Sequence, residues 1–113
     1  MPRDWKLRIE DILSSINRIK DYTAGLSSSN FLEDQLVVDA VLRNFSIIGE
    51  AVRYIPENVQ AENPQVPWAQ IKGMRNIIVH EYFGVSLEIL WYSIQNEIPN
   101  LEKQLKEILT GQN

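Results

Sequence analysis

Residues 30–56 read NFLEDQLVVDAVLRNFSIIGEAVRYIP, and this stretch decides the fold. Its apolar residues recur at the spacing of one helix face; they are Val37, Val41, Phe45, Ile48, Val52 and Ile55. Asn30 with Glu33 is typical of a capping box, which predicts a helix start, and Pro56 predicts its end. Apolar residues also lie off this stripe, at positions 36, 38, 40 and 47. Such a helix is typically central in a bundle, or it also meets a second subunit.

Toward the N-terminus, apolar residues at helical spacing predict a first helix over residues 4–23. Asp4 can cap its start, and Gly25 follows its end. The polar run at 27–30 predicts a loop between this helix and the central one.

Toward the C-terminus, three prolines in residues 56–67 predict a connection with at most one short helical turn. A third helix is predicted from Trp68 to Phe83. The fourth begins at Ser86, and Pro99 either kinks it or starts a new segment.

The predicted elements make one domain over residues 1–113, an all-α, up-and-down bundle of four to five helices. No run alternates polar and apolar residues as a strand does. We expect Trp68 and Trp91 in the core rather than as platforms for stacked bases. The charged N-terminus and the lack of a long apolar run predict a cytoplasmic protein without a membrane contact.

The formal net charge is −4, from 11 basic and 15 acidic residues. A broad nucleic-acid surface is usually basic, so extended non-specific binding is disfavoured. Any contact with RNA should therefore depend on a small local cluster of cations. Arg43 could belong to such a cluster, or it could pair with a surface carboxylate; Lys72 is a further candidate for RNA contact.

The third predicted helix gathers its polar side chains on one face. With about 100° per residue, Arg75 and Tyr82 fall within about 20° of each other, and His80 lies about 140° from Arg75. Ile71, Met74, Ile77 and Ile78 take the opposite side, which we expect to be buried. An alternative stays open, because cations and tyrosine are also common near helix C-termini for structural reasons.

These residue types suit phosphodiester chemistry. Histidine shuttles protons near neutral pH, and arginine binds phosphate through parallel hydrogen bonds. The 2′-hydroxyl of RNA is an internal nucleophile, so cleavage to a 2′,3′-cyclic phosphate calls for no metal or cofactor. His80 is the only histidine, which weakly favours a twofold dimer with two copies at one cleft. A lone histidine without companion ligands predicts no metal site.

The run Arg75-Asn76-Ile77-Ile78-Val79-His80-Glu81-Tyr82 resembles the R-x-x-x-x-H-x-Y signature of HEPN-domain proteins, specifically the HepT-like toxins. Residues 42–51, 66–74 and 90–101 resemble other parts of that family. The resemblance covers nearly the whole chain.

This resemblance implies a dimeric ribonuclease toxin of a type II toxin–antitoxin system. Arg75 and His80 would be catalytic at the dimer cleft, and Asn76 would support them. It also implies a cognate nucleotidyltransferase-fold antitoxin, which in several such pairs transfers AMP to the tyrosine that corresponds to Tyr82. The alternative is a non-catalytic dimeric HEPN module that binds nucleotide or protein; a helical adaptor is a third reading.

Overall fold

The computed structural model describes residues 4–73 and 86–111, and these are helical apart from short connections. The elements are α1 (Trp5–Thr23), α2 (Ser28–Glu33), α3 (Gln35–Val52), α4 (Glu57–Glu62), the described part of α5 (68–73), α6 (Leu87–Tyr92), a π-helical segment (Ser93–Glu97) and α7 (Ile98–Thr110). The two described ranges contain no strand. The predicted all-α class is therefore confirmed for them. None of the described helices is both long and apolar enough to cross a membrane.

The first helix has the predicted bounds. The side chain of Asp4 accepts a hydrogen bond from the backbone N–H of Lys6 at 2.9 Å, which caps the start of α1. After the helix, Gly25 takes a positive φ of 77°, a conformation that glycine adopts without a steric penalty. The predicted cap and the predicted stop are both confirmed.

The entry to the central helix differs from the prediction. Ser27 accepts from the N–H of Asn30 at 3.1 Å and starts α2, while Asp34 accepts from the N–H of Val37 at 3.1 Å and starts α3. Two caps seven residues apart thus divide this region into a short helix and a long one. The predictions that residues 27–30 form a loop and that Asn30 is the cap were wrong.

The core lies mainly between α1 and α3, which pack along most of their lengths. The fully buried apolar side chains of α1 are Ile9, Ile12, Ile16 and Ile19, and they meet a stripe of α3 that includes Val41, Ile48 and Val52. Burial of each such side chain contributes about 1.5–3 kcal/mol. Helix α7 covers this pair with Leu101, Leu105 and Ile108.

Pro99 starts a new helical segment, one of the two outcomes predicted for it. It stands in the first turn of α7, and the wider π-helical turn Ser93–Glu97 precedes it directly. Proline cannot donate a backbone hydrogen bond, and its ring crowds the carbonyl four residues earlier, here that of Gln95. A π-helical turn loosens the backbone there, so the helical path continues from Leu87 to Thr110.

Candidate functional site

The residues predicted to act lie mostly outside the described residues. Arg75, Asn76, His80 and Tyr82 all fall in residues 74–85. Their assignments stay predictions. The structure does describe how the chain reaches this segment and how it continues after it.

Trp68 holds the approach in place, a name used below for residues 63–73, which lead into residues 74–85. Its indole Nε1 donates to the backbone carbonyls of Gln60 at 3.1 Å and Asn63 at 2.9 Å. The side chain is only 7% exposed and belongs to the core, so the prediction of a core role is confirmed. A buried indole needs a partner for its N–H, and two carbonyls at the end of α4 supply it. The beginning of α5 is thereby tied to the end of α4.

Further bonds hold the same turn. The buried amide of Asn63 donates to the carbonyl of Val59 at 2.8 Å. The side chain of Gln104, on α7, donates to the carbonyl of Gln65 at 2.9 Å. The backbone N–H of Ile71 bonds to the carbonyl of Pro67 at 3.1 Å and closes the first turn of α5. The approach is therefore attached to two other helices.

The first turn of α5 has the orientation predicted from the helical pattern. Ile71 is 3% exposed, and Lys72 beside it is exposed. The expected packing side and the expected polar side are both present at the start of this helix.

The segment after residue 85 begins with a capped helix. The hydroxyl of Ser86 accepts from the backbone N–H of Ile89 at 3.3 Å, as predicted for a cap. Leu90 is buried, and the ring of Trp91 packs on Phe31 with centroids 5.1 Å apart. Trp91 is half-buried against the core, which confirms its predicted structural role.

Two candidate RNA contacts can be placed. Arg43 on α3 and Lys72 on α5 are both exposed, and neither makes an ion pair with a described residue. The alternative in which Arg43 pairs with a carboxylate thus finds no partner within residues 4–73 and 86–111. Both cations are accessible to an anion.

Two buried polar groups were not predicted from the sequence. The amide of Asn44 is 3% exposed and donates to the carbonyl of Ala40 at 2.9 Å, but its Oδ1 has no partner among the described residues. The Ser15 hydroxyl on α1 is fully buried and also lacks a partner within that set. The only signal for either one is a polar residue inside an apolar helical stripe.

Within the described part of the chain, no three His, Cys, Asp or Glu side chains are grouped as a metal site would require. The cations at 43 and 72 instead suit an anionic ligand.

Comparison with known proteins supplies the family. The family model described as "Ribonuclease HepT-like" matches residues 12–108. A protein of Caldanaerobacter subterraneus subsp. tengcongensis named "Putative RNase" is 43% identical over 101 residues, which is 89% of this chain and 90% of that protein. A "Putative RNase" of Methanocaldococcus jannaschii is 36% identical over 104 residues, 92% of this chain and 95% of that protein.

A third relative, the "Probable ribonuclease HepT" of Thermococcus cleftensis, is 34% identical over 108 residues. This alignment covers 96% of the present chain and 98% of that protein. No solved structure gives a significant match. The similarity to each relative thus extends along nearly the whole of both chains.

Proposed function

Because this chain belongs to the HepT-like ribonuclease family, we propose that it is a metal-independent endoribonuclease and the toxin of a toxin–antitoxin pair. Arg75 and His80 are its catalytic residues, and Asn76 supports them. The observation that carries the proposal is the family match over residues 12–108, which contains the uninterrupted run from Arg75 to Tyr82. The names of three relatives, all of which refer to ribonucleases, support the same activity.

The proposed reaction uses a nucleophile that the RNA carries itself. The 2′-oxygen forms a bond to the neighbouring phosphorus, the bond from phosphorus to the 5′-oxygen of the next nucleotide breaks, and the product is a 2′,3′-cyclic phosphate. The 2′-hydroxyl loses its proton to a base, and the departing 5′-oxygen receives one from an acid. His80 suits proton transfer near neutral pH, and Arg75 stabilises the charge that grows on the phosphoryl oxygens.

One histidine per chain is the reason to propose a twofold dimer. The base and the acid must act on opposite sides of the phosphorus, and a single imidazole cannot reach both sides at once. A dimer whose motif helices face one cleft would place two copies of His80 and two of Arg75 around the scissile phosphate. The exposed Lys72, three residues before Arg75, would add positive charge at the edge of that cleft.

Control of the toxin is proposed to act on Tyr82. A nucleotidyltransferase antitoxin would form a bond between the tyrosine oxygen and the α-phosphorus of ATP, with release of pyrophosphate. Tyr82 is seven residues after Arg75, so a helix would place both on one stripe. The attached AMP would bring a negative phosphate to the place where the RNA phosphate should bind, and its charge and bulk would block the cleft.

The cleavage test uses single-stranded RNA in buffer with EDTA. We expect the wild-type protein to cut it and to leave 2′,3′-cyclic phosphate ends. His80→Ala should slow cleavage by about 10²–10⁴-fold, the usual contribution of a positioned acid or base. Arg75→Ala should lower the rate by a similar factor, because it stabilises charge in the transition state.

Glu81→Gln serves as the matched control, since it changes a neighbour that has no proposed role. Circular dichroism of every variant checks that the helices are intact. Folded wild-type protein that leaves RNA uncut at all concentrations would refute the enzyme and favour a binding module. Cleavage only after addition of a divalent ion would refute the metal-independent step.

The modification test measures the intact mass of the protein after incubation with its antitoxin and ATP. We expect one or more added AMP units on wild-type protein, none on Tyr82→Phe, and loss of RNA cleavage only where AMP is attached. Inhibition of an unmodified wild-type protein would show instead that the antitoxin acts by contact.

A further inference from the structure

An open groove of about 380 Å³ runs between α1 and α3. Arg8, Asp11, Ser15 and Arg18 line it from α1, and Glu50 is among the residues that line it from α3. The guanidinium of Arg8 lies 4.3 Å from the ring centroid of Tyr54, just after α3. The start of α1 therefore meets the end of α3, so the two helices run antiparallel along the groove.

Two arginines line the groove in a protein whose net charge is negative. Arg8 and Arg18 are ten residues apart on one helix, or about 15 Å along its axis. Arg43 is four residues before Ile47 and thus shares the face of α3 on which Ile47 lines the groove. Antiparallel packing places Arg43 toward the end of the groove that holds Arg18.

Two acidic side chains also line the groove, and both have partners. Glu50 forms an ion pair with Arg53 at 3.3 Å, and Asp11 takes part in an interaction as well. Two arginines and two carboxylates thus line the groove, and the formal charges of the lining residues balance. Neither Arg18 nor Arg43 makes an ion pair with a described residue, so both can bind an anion. Such a small cluster of cations is what an acidic protein needs to hold a phosphate backbone.

The groove also contains polar atoms without partners. Ser15 is fully buried, and its Oγ makes no hydrogen bond to any described residue. Arg8 Nε is buried and likewise unpaired within the described ranges. Buried polar groups in folded proteins nearly always bond to protein, water or a ligand, so these two can accept a polar partner from the groove.

Tyr54 offers a surface for a base beside these groups. It is 53% exposed, and Arg8, which touches it, also lines the groove. Proteins that bind single-stranded RNA combine a cationic groove for the backbone with exposed aromatic rings on which bases stack.

We propose that the α1–α3 groove is a binding site for single-stranded RNA. Arg18 and Arg43 bind phosphates of the backbone, Arg8 and Ser15 bind polar atoms of a nucleotide within the groove, and Tyr54 stacks on a base. The site rests on the proposed ribonuclease function, for which it binds the RNA substrate.

The test measures binding of a short, unstructured, fluorescently labelled RNA to the His80→Ala protein, which keeps the RNA uncut, over a range of salt concentrations. Arg18→Gln should weaken binding several-fold and reduce the slope of log affinity against log salt by about 0.7, the contribution of one phosphate contact to a single strand. Arg43→Gln should do the same. Tyr54→Ala should lower the affinity by about tenfold at every salt concentration and leave the slope unchanged.

Lys20→Gln is the matched control. Lys20 is on α1 as well, but its Nζ pairs with Glu102 of α7 at 3.0 Å and so points away from the groove. The control should keep the wild-type slope. A loss of slope in Lys20→Gln equal to that in Arg18→Gln would refute the site, because any surface cation would then have the same effect.

The remaining outcomes separate this proposal from the ribonuclease itself. Wild-type protein that cleaves RNA, together with groove variants of unchanged RNA affinity, would refute the groove and keep the enzyme. Binding that depends on Arg18 and Arg43 in a protein that never cleaves RNA would keep the groove and refute the enzyme. A change of particle mass in Arg18→Gln, measured by sedimentation, would identify the groove as a subunit contact and refute the proposal.

Discussion

The chain approaches residues 74–85 and continues after them in two different kinds of structure. Before them, a turn at residues 63–67 leads into the first residues of α5, and Val66, Trp68 and Ile71 are all buried. After them, α6 buries Leu90 but leaves Ile89 and Tyr92 more than half exposed, at 69% and 61%. The approach thus packs against the rest of the protein on several sides, while α6 packs mainly on one side.

The kinds of bond differ in the same way. In the approach, side chains bind backbone carbonyls of other segments, as Trp68 does with Gln60 and Asn63. In α6, the caps are local: Ser86 binds the N–H of Ile89 and the carboxylate of Glu88. Bonds between segments fix one element relative to another, whereas local caps stabilise only their own helix. We therefore expect the position of residues 74–85 to depend on residues 63–73 more than on α6.

The largest expected effect is at Trp68. Trp68→Ala should lower the free energy of unfolding by about 3–5 kcal/mol, because it empties a core position and leaves two buried carbonyls without the indole N–H. Urea denaturation followed by circular dichroism measures the change. Trp68→Phe is the control that keeps most of the volume and should cost about 1–2 kcal/mol, largely for the lost hydrogen bonds.

A loss of unfolding free energy below about 1 kcal/mol in Trp68→Ala would contradict the proposed difference between the approach and α6. It would mean that Trp68 does not hold the approach in place. RNA cleavage at a temperature where each variant is folded gives a second reading. Activity should fall further in Trp68→Ala than in variants of α6 with the same loss of stability.

The parts of the fold that local sequence determines were predictable. The first helix could be predicted because its apolar residues keep one helical spacing and Asp4 caps its start. Both signals depend only on residues close together in the chain. The division between α2 and α3 was missed because Ser27 and Asp34 are both good caps, and an apolar stripe runs through the break. Periodicity does not show which of several caps is used.

The candidate sites divide in the same way. Residues 75, 76, 80 and 82 could be proposed from sequence because they are close in the chain, where helical spacing relates them and the run resembles the HepT-like signature. The α1–α3 groove could not, because it joins Arg8 and Arg18 to residues such as Ile47 and Glu50 far along the chain. Only the packing of the two helices brings these side chains together.

A smaller effect is expected at the cap of α6. Ser86→Ala should lower the free energy of unfolding by about 1 kcal/mol, because the hydroxyl no longer accepts from the N–H of Ile89. Thermal or urea unfolding measures it. Ser29→Ala, at an exposed position within α2, should change stability far less. Equal losses in the two variants would show that the Ser86 cap contributes nothing particular.

The smallest effect is expected at Ile89, and it tests what lies against the exposed side of α6. In a free subunit, Ile89→Ser should change the free energy of unfolding by no more than about 0.5 kcal/mol, because its side chain is 69% exposed. Leu90→Ala, one residue away but 5% exposed, should cost about 2–5 kcal/mol.

The two unfolding curves should be measured at several protein concentrations. A loss well above 0.5 kcal/mol in Ile89→Ser that grows as the protein concentration is raised would mean that a second copy covers this face, because only association makes stability depend on concentration. In that case α6 would be bound on both sides in the assembled protein, and the contrast with the approach would hold only for the single subunit.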